Sequence, residues 1–396
     1  MAAEGFRGTL TLPVLGEPHA GLYLHVPFCH SKCAYCAFPS STKANLEIRQ
    51  AWLKAVLGAL RLEGESGVWP RFSTLYVGGG TPSVLSPDEV STLLTAVKPY
   101  LQPQAEITFE ANPESLSSSW LDAVQDQGGT RLSLGIQSFE DPVRQAVGRL
   151  CSRKSLDKAQ DLLESVWRGQ FSLDLILGLP YQTPELQVQD ALQALSWKPH
   201  HLSAYPLSWE PGTLLTRTFR ESQAEDLAWE AVREKWQEGG YEWYEVANFA
   251  QAGAQCQHNR GYWEQRPYLG LGSGAVSTYP VQNTPVGPRW RRRTFGTHPV
   301  DFFTEQETEV LTPLDCRKEA LLLGLRLSTG LSRQQWDRFS VHPWEQALSE
   351  TLKRYASWFY ETRQALTLKP EVRCWQDELL RSAFAELDVD DKEQVW

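Results

Sequence analysis

Three cysteines crowd into the eight residues Cys29-His30-Ser31-Lys32-Cys33-Ala34-Tyr35-Cys36, while the other four of the chain's seven, Cys151, Cys256, Cys316 and Cys374, are scattered. An odd, clustered set makes a poor disulfide framework and a good metal site in a reducing compartment. The spacing is C-x3-C-x2-C. Zinc prefers paired C-x2-C groups with a fourth ligand, and His30 falls inside the loop at a spacing that serves zinc badly. Three thiolates instead hold three irons of a [4Fe–4S] cubane and leave the fourth open, whereas clusters that only carry electrons close all four positions. An open iron chelates the amino and carboxylate groups of S-adenosylmethionine (SAM), and one electron then splits the sulfonium to a 5′-deoxyadenosyl radical. A zinc knuckle or plain structural thiols are the competing reading.

Thiols on a loop need a scaffold that holds them beside a ligand. Six runs rich in β-branched and aromatic residues read as strands, at 21–27, 74–80, 106–112, 131–139, 171–180 and 201–209. Helical stretches separate them at 44–62, 86–97, 117–127, 142–147 with 155–166, and 183–195. Helix-start signals stand at Ser86-Pro87-Asp88-Glu89 and Thr183-Pro184-Glu185. The alternation implies an α/β fold with a parallel sheet, best as a partial (β/α)6 barrel, with a flat doubly wound sheet as the alternative. Barrel sites form at the C-terminal ends of strands. Gly78-Gly79-Gly80-Thr81, Glu110 and Gln137 fall at such ends, and Asp174 lies within the fifth strand. The glycine run lacks the Lys-Ser/Thr of a phosphate loop, so its bare amides are expected to approach a carboxylate or an amine. Gly270–Ala275 (GLGSGA) mimics a dinucleotide fingerprint without a βαβ unit around it.

The chain has 396 residues, 41% of them hydrophobic, enough for one large domain and a smaller one. The pattern divides it into an N-terminal extension at 1–20, a barrel core at 21–215, a barrel extension at 216–298 and a mostly helical C-terminal domain at 299–396. A net charge of −10 argues against salt-driven nucleic-acid binding. No run approaches the length of a membrane span and no signal peptide is read, so the expected compartment is the cytoplasm. Met1 is the one methionine, leaving no other thioether to ligate a metal.

The segments LYLHVPFCHSKCAYCAF, VGGGTPS, EITFEANPE, RLSLGIQSF, LDLILGLP, HLSAYPLSWEPGT, QCQHNRGYW and LGLGSGA occur in this order between about Tyr23 and Leu331. Together they resemble the coproporphyrinogen III oxidase-like radical SAM family, and within it the HemW-type heme-chaperone branch. The resemblance implies a partial barrel with the cluster on Cys29, Cys33 and Cys36, SAM on its rim, and a helical C-terminal lid or docking domain. It places SAM contacts on Tyr23, Phe38, Gly79, Gly80, Thr81, Glu110, Gln137, Arg149 and Asp174. Arg149 suits the methionine carboxylate, Glu110 an ammonium or the polar end near it, and Gln137 and Asp174 the ribose hydroxyls.

The same resemblance separates two functions. The oxygen-independent coproporphyrinogen dehydrogenases carry a further cysteine where this chain has Phe38, and a longer arm before the cluster. His258-Asn259-Arg260-Gly261-Tyr262-Trp263 resembles the HNxxYW motif of the chaperone branch, whose histidine is implicated in heme binding. Imidazole is a natural axial ligand for heme iron, and Tyr262 and Trp263 offer flat apolar packing. Relatives often carry histidine where this chain has Val276, which leaves five-coordinate heme or another ligand such as Cys256. Arg289-Trp290-Arg291-Arg292-Arg293 reads as a solvated hairpin tip, or as a clamp for heme propionates or an acidic partner. The implied function is a heme chaperone without coproporphyrinogen III dehydrogenase activity, its partners being heme, a heme-accepting client protein, a reductant or electron-donor protein and a second copy of the chain. The alternative is the oxidative decarboxylation of coproporphyrinogen III. A radical enzyme acting on tRNA is disfavoured by the charge.

Overall fold

Each of the six expected strands forms, as β1 (Gly21–Val26), β2 (Phe72–Gly79), β3 (Leu101–Ala111), β4 (Arg131–Gln137), β5 (Gln170–Leu177) and β6 (His201–Pro206). They pair in parallel and in sequence order. Helices Leu46–Glu65, Pro87–Val97, Ser118–Asp126, Arg153–Ser165 and Pro184–Ser196 make the crossovers. The start signals act as read: Ser86 and Glu89 close a reciprocal capping box, and Thr183 caps the helix opened by Pro184. The computed structural model describes residues 19–220, 227–285, 287–304, 306–360, 362 and 364–393. All but the last two residues of the expected N-terminal extension lie outside them.

Side-chain alternation along these strands separates core from site. Leu75 and Val77, Ile107 and Phe109, Leu132 and Leu134, and Leu173 and Leu175 are buried in the main hydrophobic core. The intervening residues Tyr76, Thr108, Glu110, Ser133, Ser172, Asp174, His201 and Ser203 all line one cavity. Side chains from five strands meet around one space only if the sheet curls. The strand order nevertheless has two free ends, so the barrel is partial rather than closed or flat. Eightfold barrels fill this space with branched apolar residues; a polar lumen here marks a binding chamber.

The sheet extends well beyond six strands. At one edge β7 (Glu242–Trp243) and β8 (Asn248–Ala250) add antiparallel to β6. At the other, β9 (Tyr268–Leu271) pairs in parallel with β1, and β10 (Val276–Thr284), β11 (Gly287–Phe295) and β12 (Gln306–Leu311) follow antiparallel, giving twelve strands among the described residues. The sheet therefore runs past residue 299, and the expected boundary there falls between two paired strands. β12 was not legible because five of its six residues are exposed and carry no apolar alternation.

A second core begins on this extension. Trp290 and Leu311 from the sheet pack with Leu321, Leu325, Trp336, Phe339, Leu380 and Leu387 from helices Pro313–Gly324, Arg333–Phe339 and Gln376–Glu393 and the segments beside them. A small strand pair, β13 (Leu331–Ser332) with β14 (Ala365–Leu366), completes this part. The tryptophan-rich composition serves both cores. Trp52, Trp236 and Trp336 are fully buried, with indole N–H groups donating to the carbonyls of His25 (3.2 Å), Ala191 (3.1 Å) and His342 (2.8 Å). Among the described residues no helix is long and apolar enough to cross a membrane.

Candidate functional site

The cysteine loop leaves the C-terminal end of β1 and is fixed by its backbone. Cys29 N–H donates to Ser41 O (3.1 Å), Ala34 N–H to Val147 O (2.9 Å), and Leu215 N–H to Ala34 O (2.7 Å). The six cysteines whose side chains are described are all free, and Cys29, Cys33 and Cys36 are the three that are half-buried rather than buried. All three line the mouth of a cavity of about 500 Å³. Thr81 Oγ1 lies 3.6 Å from Cys29 Sγ, and Arg149 Nη1 lies 3.7 Å from Cys33 Sγ. Burial pushes the Cys29 and Cys36 thiols up, so loading with iron must expel protons. Three soft donors on one loop, without a fourth, match the demand of an iron–sulfur cluster with one open iron. Among the described residues no three His, Cys, Asp or Glu side chains gather around one point, the arrangement a mononuclear zinc ion needs.

Phe38, Gly79, Gly80, Thr81, Glu110, Gln137, Arg149 and Asp174 line the same cavity as the cysteines. Glu110 Oε1 accepts from the Tyr76 hydroxyl (2.9 Å) and Oε2 from Gly79 N–H (3.0 Å). Burial raises its carboxyl to about 7, with those two hydrogen bonds opposing and the charge of Asp174 adding. Asp174 accepts from the hydroxyls of Ser133 (2.6 Å), Ser203 (2.7 Å) and Ser172 (3.1 Å). Burial raises it too, against those bonds. Arg149 donates from Nη2 to Asn112 Oδ1 (2.6 Å) and to the Gly135 carbonyl, and its Nε is buried without an acceptor. Arg149 lines the cavity, and its buried N–H without an acceptor leaves a hydrogen-bonding capacity that suits an anionic ligand such as a carboxylate. Gln137 sits at φ +70° where the β4–β5 register slips, a strained bulge at the strand end.

Two expectations change. The glycine run does not present free amides: Gly79 N–H goes to Glu110, Gly80 N–H to Val26 O (2.8 Å) and Thr81 N–H to Phe28 O (2.7 Å). Glycine is required there for packing, since a Cβ on Gly79, at φ +109°, would stand 2.5 Å from the His25 ring. Tyr23 lies off the cavity wall, its hydroxyl 3.0 Å from His25 Nδ1 and its ring beside Tyr76.

His258 is not on the rim. Helix Gln257–Trp263 closes the barrel floor, its first amides capped by Glu106, which accepts from Gln257 N–H and His258 N–H at 3.0 Å. The imidazole is buried, with Nδ1 2.7 Å from Thr74 Oγ1 and Nε2 2.9 Å from the Tyr262 hydroxyl, and it stacks on Tyr76. Burial lowers its pKa to about 3. Both ring nitrogens are engaged and His258 is not part of the cavity wall, so this conformation offers no lone pair to a heme iron. The histidine acts here as a floor-packing residue, a correction to the expected axial ligand. Cys256, the fallback, is a buried thiol raised to about 12 beside Glu106. The basic stretch is likewise neither a tip nor a free clamp. It lies within β11, where Arg292 pairs with Glu309 (3.2 Å) and Glu319, and Arg293 pairs with Glu63 (2.7 Å). The Gly-rich turn packs under the cluster loop, Gly272 against the His25 carbonyl at φ +111°.

The sequence did not single out Tyr76, Asn112 or the serines that surround Asp174. Ser133 stands opposite Ser172, and Asp174 opposite Ser203, across the β4–β5 and β5–β6 registers. Each serine alternates with leucine on its own strand, but only a known register brings them to one carboxylate. Arg131 and Thr108, register partners on β4 and β3, also face the lumen and carry unpartnered buried polar atoms, Nη2 and Oγ1.

The geometry agrees with what the chain is similar to. Residues 23–191 match the model of the Radical SAM superfamily. The heme chaperone HemW of Mycobacterium tuberculosis is 37% identical over 276 residues, covering 66% of this chain and 70% of that protein. The heme chaperone HemW of Synechocystis is 30% identical over 405 residues, covering 93% and 97%. Among solved structures, the radical SAM enzyme coproporphyrinogen III oxidase (HemN) of Escherichia coli superposes with a TM-score of 0.74 at 20% identity, covering 94% of this chain and 90% of its own, a likeness of fold. The three-cysteine loop at the mouth of a polar, curled, parallel sheet and the kinship along most of the sequence agree: this chain belongs to the radical SAM superfamily and, within it, to the HemW family.

Proposed function

We propose that the protein is a heme chaperone that binds heme and delivers it to a client protein in the cytoplasm, with coproporphyrinogen III decarboxylation as the alternative. The observation that carries the choice is the sequence kinship with proteins named HemW along 70% and 97% of their lengths, against a likeness of fold alone to the coproporphyrinogen oxidase. Phe38 supports it, because an exposed phenyl ring stands where the oxidase pattern has a further cysteine.

Cys29, Cys33 and Cys36 are the residues to hold the cluster, and the cavity behind them is the place for SAM. When bound, this pair supplies one-electron reductive chemistry. The protein's own contribution is orientation. Arg149, locked by Asn112 and the Gly135 carbonyl on the cavity wall, supplies the positive charge for the methionine carboxylate. Glu110 receives the amino end, and Asp174, held by three serine hydroxyls, faces the ribose. Thr81 joins the two halves of the site, reaching Cys29 Sγ and accepting from Asn112 Nδ2 (3.0 Å). A heme-accepting client, an electron-donor protein and a second copy of the chain are the partners of this reading.

Its test is turnover. Anaerobically reconstituted protein with SAM and dithionite is expected to convert no coproporphyrinogen III to protoporphyrinogen IX, followed by porphyrin fluorescence after oxidation. Sustained conversion at many equivalents per chain would promote the oxidase reading.

A further inference from the structure

The cavity inside the barrel is a poor home for heme. Its wall carries Glu110, Asp174 and Arg149 and a set of serine hydroxyls, and burying an apolar macrocycle against them would leave these groups unsatisfied. The floor histidine is closed off by its two hydrogen bonds. The mouth has the opposite character. His30, between the first two cysteines, is exposed, lines the mouth, and makes no hydrogen bond or ion pair among the described residues. Two residues on, Lys32 is exposed on the same wall. Phe38 and Tyr205, 64% and 43% exposed, line that mouth as well. Exposed Leu150 and Leu214 flank the segments to which the cysteine loop is tied, through Ala34 to Val147 and to Leu215.

We propose that heme binds across the mouth of the barrel with the His30 imidazole as its axial ligand. This rests on the heme-chaperone reading and names its site. Heme presents an iron, two flat apolar faces and two carboxylates at one edge. The mouth presents a free imidazole for the iron, apolar side chains for the faces and the Lys32 ammonium for a propionate. Two exposed aromatic rings, an exposed imidazole and an exposed ammonium line this one opening, and together they match the faces, the iron and the propionates of heme.

The test is hemin titration of the full-length, cluster-reconstituted protein, followed by the Soret band and by electron paramagnetic resonance of the ferric heme. Wild type should bind about one heme with an imidazole ligand field. His30→Ala should lose that signature and bind at least tenfold more weakly, with free imidazole restoring the spectrum and non-heme iron content unchanged. His258→Gln, which keeps hydrogen-bonding groups on the floor, should retain the wild-type heme spectrum. Unchanged spectrum and affinity in His30→Ala, or loss of the imidazole signature in His258→Gln, would overturn the assignment. If the wild type itself binds no heme, the chaperone reading falls and this site falls with it.

Discussion

Cys33→Ser is expected to bring non-heme iron in the anaerobically reconstituted protein from about four per chain, the cubane stoichiometry, to background. Serine is nearly isosteric with cysteine, but its hydroxyl stays protonated where a thiol can give a thiolate, so the third iron loses its anchor. The loop itself should persist. Its ties run through backbone groups, Cys29 N–H to Ser41 O and Ala34 N–H to Val147 O, and involve no sulfur. Far-ultraviolet circular dichroism should therefore match the wild type. Cys151→Ser is the matched control, because that thiol is buried away from the cavity wall and raised to about 11. It should keep its iron. Full iron retention in Cys33→Ser would remove the basis for the cluster.

The second large effect concerns Glu110. SAM affinity of the reconstituted protein should rise roughly tenfold between pH 6 and pH 8, as a carboxyl with a pKa near 7 passes from mostly protonated to mostly ionised. The sign follows from the ligand. An ionised carboxylate holds the amino end of SAM by a charge-assisted hydrogen bond, and protonation leaves only a weaker neutral acceptor. Stability of the ligand-free protein has the opposite slope. The folded-state value, about 7, lies above the ordinary carboxyl value of 4.5, so this group's contribution is fully present below about 4.5 and is lost as pH rises through 7. Glu110→Gln should flatten the binding profile at a low affinity, with isothermal titration as the measurement. A pH-independent wild-type affinity would remove Glu110 from the SAM contacts.

The parallel core was legible because each of its strands contains a short run that is apolar on the helix-facing side and ends in turn residues, and because Ser86 and Thr183 mark helix starts whatever the tertiary context; β3 starts five residues before its legible run. The rim was legible for a related reason: a barrel places chemistry at strand ends, and Gly79, Glu110 and Gln137 occupy them. What escaped the sequence depends on partners distant in the chain. The three serines around Asp174 converge only through register, and β12 is a strand because β11 is beside it. His258 shows the limit of motif reasoning. The segment HNRGYW indicates that a histidine sits among aromatics, but whether its nitrogens face a ligand or Thr74 and Tyr262 is decided by how the helix Gln257–Trp263 seats on the floor. Arg292 and Arg293 teach the same point, since their acidic partners Glu319 and Glu63 lie far along the chain.

Heme handover tests the central claim most directly. Cluster-reconstituted protein loaded with one equivalent of heme and mixed with an apo-hemoprotein acceptor should lose its own Soret spectrum while the acceptor gains its holo spectrum, stoichiometrically and faster than with heme released from a passive carrier such as albumin. Failure to retain heme through gel filtration, or retention without transfer to any acceptor tested, would contradict the account.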